Sequence, residues 1–221
     1  MPRIDDYKAA VALAVAELQQ KSAKRVAAFS RSEYFIEDGR EGLVVPYFGQ
    51  GRRVVWPEIG VTPADGQGQI PLTEQILILH YLDKASGEPL SGRNIDFRQV
   101  PEGRFYWSAF VSRAQKPLLE TFGGDMDFYL EVAKCLGGIP QPLGDAAAMF
   151  LAFPLVPITH VLWRGDEEFP AEANILFDET IVQHLSTEDI AALSGASVYR
   201  LMGAARQMRQ GRGGREVGGG G

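Results

Sequence analysis

The uncharged run from Ala146 to Trp163 constrains the fold more than any other stretch of this chain. It approaches the length of a membrane span, but Pro154, Pro157, Thr159 and His160 interrupt it. A lipid-facing helix would leave backbone groups around the two prolines short of partners, whereas a sheet accepts proline at strand ends. The run is therefore expected to form paired buried strands at 146–153 and 157–163, with a short third strand at 174–177.

The rest of the pattern supplies more strands and the helices to cover them. Ile4, Tyr7, Val11, Ala14, Val15 and Leu18 recur at helical spacing, which predicts one amphipathic helix reaching about Phe29, with Asp5 or Asp6 complementing its dipole. Short β-rich runs follow at 34–36, 43–48 and 52–56, separated by Asp38-Gly39 and Gly49-Gln50-Gly51, and read as hairpin-linked antiparallel strands. Gly49-Gln50-Gly51 lacks the following helix and lysine of a nucleotide loop, so turn geometry explains it. Residues 63–69 read as a loop, and 72–85 as a helix apolar on nearly every face, hence deeply buried. A strand at 95–100 and helices at 103–122 and 125–136 come next, with Pro117 bending or dividing the first helix. Ser186 heads a final helix as its cap, and Ser194-Gly195 offers a break in it.

These elements predict an α+β fold with a mainly antiparallel sheet covered by N-terminal, central and C-terminal helices. The length suits a single α+β domain over residues 1–202, followed by a flexible Gly/Arg-rich tail at 203–221. The net charge is -6, and removing that tail leaves 18 basic and 27 acidic residues. So acidic a body repels phosphate backbones, which argues against general nucleic-acid binding. Cys135 is the only cysteine, excluding an intrachain disulfide framework, a Cys-rich zinc site and an all-cysteine cluster. With an N-terminal apolar stretch that stops at Glu17 without a cleavage site, this points to a cytoplasmic protein with no membrane partner.

Two stretches carry a family resemblance: Leu72-Thr73-Glu74-Gln75-Ile76-Leu77-Ile78-Leu79-His80-Tyr81-Leu82, and residues 153–189. The second includes Phe153-Pro154-Leu155-Val156-Pro157, Trp163-Arg164-Gly165-Asp166-Glu167-Glu168-Phe169-Pro170 and Ile175-Leu176-Phe177-Asp178. Over about 29–193 the chain resembles the bacterial and archaeal domain of unknown function 3786 family. The resemblance implies no assigned activity. It does imply a setting, anaerobic redox or corrinoid-linked one-carbon metabolism, because some relatives join the domain to a cysteine-rich iron–sulfur domain. An accessory role beside an iron–sulfur or corrinoid partner protein follows from that setting, and cluster chemistry of the chain's own does not.

The residues themselves offer few catalytic patterns. His80, His160 and His184 are isolated from other histidines or cysteines at metal-ligand spacing, and each has a structural explanation. His80 is expected in the core with Asp83 one turn on, His160 in the core or lining a cleft, and His184 half exposed before the cap. Phe105, Tyr106, Trp107 and Phe110 offer flat area and, at Tyr106, a polar end for a cofactor. Asp166, Glu167, Glu168 and Asp178 lie among Trp163, Phe169, Ile175 and Phe177, where apolar surroundings can raise proton affinity or favour a hard cation. Asp166, Glu168, Asp178, Trp163, His160 and Tyr106 are accordingly the ligand-binding candidates. They fit a small-molecule or cofactor-binding accessory domain. A carboxylate-dependent, cation-assisted hydrolase using Asp166, Glu168 and Asp178 is the alternative, and a protein-interaction module without chemistry the third.

Overall fold

In a computed structural model that describes residues 4–216, the N-terminal helical pattern is divided in two. α1 (Ile4–Gln19) stops, and α2 (Ala23–Ser30) starts after Ser22. The Lys21 carbonyl, which a continuing helix would use internally, accepts from the Trp56 indole Nε1 at 3.1 Å.

Four strands then run as an antiparallel meander in chain order: β1 (Glu33–Glu37), β2 (Arg40–Tyr47), β3 (Gln50–Val55) and β4 (Gly60–Pro63). Asp38-Gly39 and Phe48-Gly49 form the two tight turns, all four residues with positive φ, as hairpins matched to strand twist require. Gln50 and Gly51 thus belong to β3 rather than to a turn, and β4 adds a strand to the three expected. Gly42 pairs with Phe35 across β1 and β2, and a Cβ on Gly42 would stand 2.2 Å from the Phe35 ring. The far end of that ring stands over the glycine, with the Arg53 guanidinium 3.9 Å from its centroid.

α3 (Leu72–Lys84) is buried along Ile76, Leu77, Ile78, Leu79, Tyr81 and Leu82, as its all-round apolar pattern requires. The second sheet has the order β5-β9-β8-β7-β6, built from β5 (Asn94–Asp96), β6 (Ile139–Pro140), β7 (Ala146–Phe153), β8 (Val156–Trp163) and β9 (Glu172–Asp178). The uncharged run is therefore two neighbouring strands turning at Pro154-Leu155. No helix among the described residues is long and apolar enough to cross a membrane.

The expected strand at 95–100 shortens to β5 because Asp96 starts a single 3-10 turn, Phe97–Gln99. Asp96 Oδ1 accepts from the Arg98 amide at 2.8 Å, and the Gln99 side chain accepts from the Asp96 amide at 2.9 Å, a reciprocal capping box. The next helical stretch is α4 (Gly103–Phe110), a π turn (Val111–Gln115) and α5 (Lys116–Phe122), with Pro117 in the first turn of α5. α6 (Met126–Cys135) follows. The final helix, α7 (Thr187–Glu216), is not broken at Ser194-Gly195. At Gly195 α7 passes the Arg113 backbone, whose oxygen would lie at an ordinary contact distance of 3.4 Å from a Cβ there. Of the tail expected at 203–221, residues 217–221 lie outside the described residues, and the part before them is helical.

The fold is α+β, and the chain divides into two compact units. The first comprises Met1–Asn94, Leu151–Pro157 and Asp178–Ile190. Its core includes Leu18, Leu43, Val45, Ile78 and Tyr81, the last stacked on Phe153 at 4.2 Å and donating its hydroxyl to the Ser30 carbonyl at 2.8 Å. The second comprises Ile95–Phe150, Ile158–Phe177 and Ala191–Gly221. Phe97 and Phe110 stack at 4.3 Å within it, with Phe177 edge-on to both.

Candidate binding site

Within the second unit, the sequence candidates take up separate local roles. Asp166 is fully exposed, and its Oδ1 accepts from the Phe169 amide at 2.7 Å and the Glu168 amide at 2.8 Å. Those two amides hold its carboxyl below the usual range. Glu168 and Trp163 are exposed, and Tyr106 is half-buried, edge-on to Phe105 at 5.2 Å. The aromatic cluster is split by its helix: Phe110 is in the core, while Phe105 is 82% exposed. His160 is buried, with Nε2 2.9 Å from Ser197 Oγ. That hydroxyl donates to the Ser194 carbonyl at 2.7 Å, so the imidazole must donate to it. Burial pushes the His160 pKa down to about 3.

Asp178 lies in the first unit, where its carboxylate ties together two loops. Oδ1 accepts from the Ser91 amide and hydroxyl, both at 3.1 Å, the Thr180 amide at 3.0 Å and the Thr180 hydroxyl at 2.7 Å. Oδ2 accepts from the Gly92 amide at 2.7 Å. Burial opposes ionisation here, but the Thr180 and loop donors outweigh it and hold the pKa at about 2.

His80 pairs with Asp189 rather than with Asp83, its Nδ1 lying 2.7 Å from Asp189 Oδ1. Asp83 instead pairs with Lys21 at 2.7 Å. Asp189 Oδ2 closes a capping box with Ser186, accepting from its amide at 3.2 Å while Ser186 Oγ accepts from the Asp189 amide at 3.2 Å. The Asp189 bond raises the His80 pKa against the opposing effect of burial. His184, expected half exposed, is fully buried beside Tyr81, and burial lowers its pKa. Among the described residues, no three His, Cys, Asp or Glu side chains gather as a metal ion would need.

A polar cleft lies elsewhere in the first unit, between β3, the loop after β4 and the start of α3. It encloses about 400 Å³ and is lined by Gln50, Arg52, Asp65, Gln67, Gln69 and Glu74, with Pro63, Ile70 and Pro71 as apolar walls. Arg52 is only 8% exposed. Its Nε donates to Glu74 Oε1 at 2.5 Å, Nη2 to Gln50 Oε1 at 2.7 Å and Nη1 to the Gly51 carbonyl at 3.3 Å. A guanidinium has five N–H groups, so two remain without a partner among the described residues. Asp65 Oδ1 is taken by the Gln67 amide at 3.0 Å, and Asp65 Oδ2 and Glu74 Oε2 have no hydrogen-bond partner among the described residues. The sequence carried one signal of this site: Arg52 alternates with the buried Val54 and so occupies a core-facing position of β3.

Fold and cleft together define an α+β protein with a small, polar, arginine-centred cleft. The chain belongs to the domain of unknown function 3786 family, whose model matches residues 26–200. Comparison with curated proteins and with solved structures gave no match.

Proposed function

We propose that this chain is a small-molecule-binding accessory protein and that the Arg52 cleft holds its ligand. The observation that carries the reading is a buried guanidinium fixed on one side by Glu74 and Gln50, with N–H groups to spare beside a cavity. Burying a charge costs folding free energy, and this cation is desolvated, neutralised and oriented before any ligand arrives. Its volume falls within the range of small-molecule pockets.

The setting we propose for such a ligand is anaerobic redox or corrinoid-linked metabolism. With Cys135 as its sole cysteine, the chain would act there beside an iron–sulfur or corrinoid partner rather than carry a cysteine-bound cluster. Native mass spectrometry of protein purified anaerobically from its host tests the reading. A retained small molecule that is lost on filling the cleft with Gln67→Trp, at unchanged melting temperature, is the expected result. Retention unaffected by Q67W would place the ligand elsewhere and reject the cleft.

A further inference from the structure

The charges in this cleft specify more than a generic ligand. Arg52 contributes one positive charge, and Glu74 and Asp65 contribute two negative ones. The guanidinium and the Glu74 carboxylate are in direct contact, so opposite charges are presented side by side. A simple anion entering to meet Arg52 would meet Glu74 and Asp65 as well, and like-charge contacts at close range oppose binding. A simple cation would be drawn to the carboxylates but would leave the remaining Arg52 N–H groups desolvated without an acceptor.

Resting on the cleft reading above, we infer that the ligand is a compact zwitterion of the α-amino-acid class. Its carboxylate accepts from the two unused N–H groups of Arg52, and its ammonium donates to Glu74 Oε2 and Asp65 Oδ2. Ammonium and carboxylate on one carbon match adjacent protein charges of opposite sign, and both partners are satisfied by one molecule. Gln67 and Gln69, each both donor and acceptor, stand on the exposed side of the cleft, where the amino-acid side chain would extend. Arg52 cannot swing to meet another ligand geometry, because Glu74, Gln50 and the Gly51 carbonyl hold it. Recognition therefore depends on the ligand bringing both charges.

Isothermal titration calorimetry with the twenty standard amino acids, and with propionate, ethylamine, inorganic phosphate and glucose, tests this. At least one amino acid should bind saturably, and its des-amino and decarboxylated analogues should bind at least tenfold more weakly. Arg52→Lys keeps a cation for Glu74 but loses the planar fork, and should weaken binding tenfold or more. Should R52K not fold, Asp65→Asn on the exposed loop should still weaken it severalfold. Binding of phosphate, propionate, ethylamine or glucose in place of any amino acid would overturn the zwitterion and leave the cleft standing. Amino-acid binding unchanged in both variants would also overturn it. Failure of every probe, with no ligand retained from the host, would remove the cleft reading itself.

Discussion

Acidification should destabilise the second unit through one side chain, His160. Its ring is buried, Nε2 donates to Ser197 Oγ, and Nδ1 has no hydrogen-bond partner among the described residues. A second proton must therefore sit on Nδ1, without an acceptor, and burial lowers the folded-state pKa from 6.5 to about 3. Between those values the unfolded chain binds a proton that the folded chain refuses. The stabilisation is thus complete above 6.5 and is lost as pH falls toward about 3. At about pH 5 the loss amounts to roughly 2 kcal/mol, at ~1.36 kcal/mol per pH unit. His160→Gln keeps a donor for Ser197 but has nothing to titrate, so urea unfolding of both proteins near neutral pH and at about pH 5 isolates the effect. His184 acts in the same direction and His80 in the opposite one, but both are present in each protein. Wild type should lose about 2 kcal/mol more than H160Q on acidification. Parallel losses would refute the buried, unaccepting Nδ1.

Four further outcomes follow from the geometry. Asp178→Asn removes the charge from a carboxylate with five hydrogen bonds and should cost on the order of 2–3 kcal/mol in urea unfolding; a change below about 0.5 would show the loops hold without it. In an NMR pH titration His80 should titrate above 6.5, and Asp189→Asn should bring it back down; an unmoved midpoint would break the pairing. Gly42→Ala forces its Cβ into the Phe35 ring and should cost roughly 1–3 kcal/mol in denaturant unfolding. Ending the chain at Gln210 removes the exposed Arg212–Glu131 pair and should cost at most about 1 kcal/mol, so a larger drop in stability would mean the end of α7 is packed.

Much of the element order was legible because the signals were local. Asp38-Gly39 marks a hairpin by backbone preference alone, and the prolines at 154 and 157 turn an apolar run into two strands. The missed features depend on partners distant in sequence. At the break before α2 the Lys21 carbonyl is taken by Trp56, a partner that could not be read from its own neighbourhood. Asp96 and Gln99 were a readable capping box, hidden by the apolar residues around them. For the site, residue type misled: Asp166 and Asp178 stand among aromatic residues, yet their oxygens serve nearby backbone amides and hydroxyls. For the proposed cleft the clue was Arg52, a charge at a core-facing strand position, but its partner Glu74 becomes a neighbour only after β3 and α3 have formed.

The interleaving of the two units along the chain also bears on how the protein is made. The first unit draws on Met1–Asn94 but also on Leu151–Pro157 and Asp178–Ile190. During synthesis its leading segment leaves the ribosome long before Phe153, which stacks on Tyr81, or Asp189, which meets His80. Until those segments emerge, Tyr81 and His80 lack these partners. Each unit is assembled from three separate stretches of the chain, so neither can be expressed by itself from one uninterrupted stretch of gene.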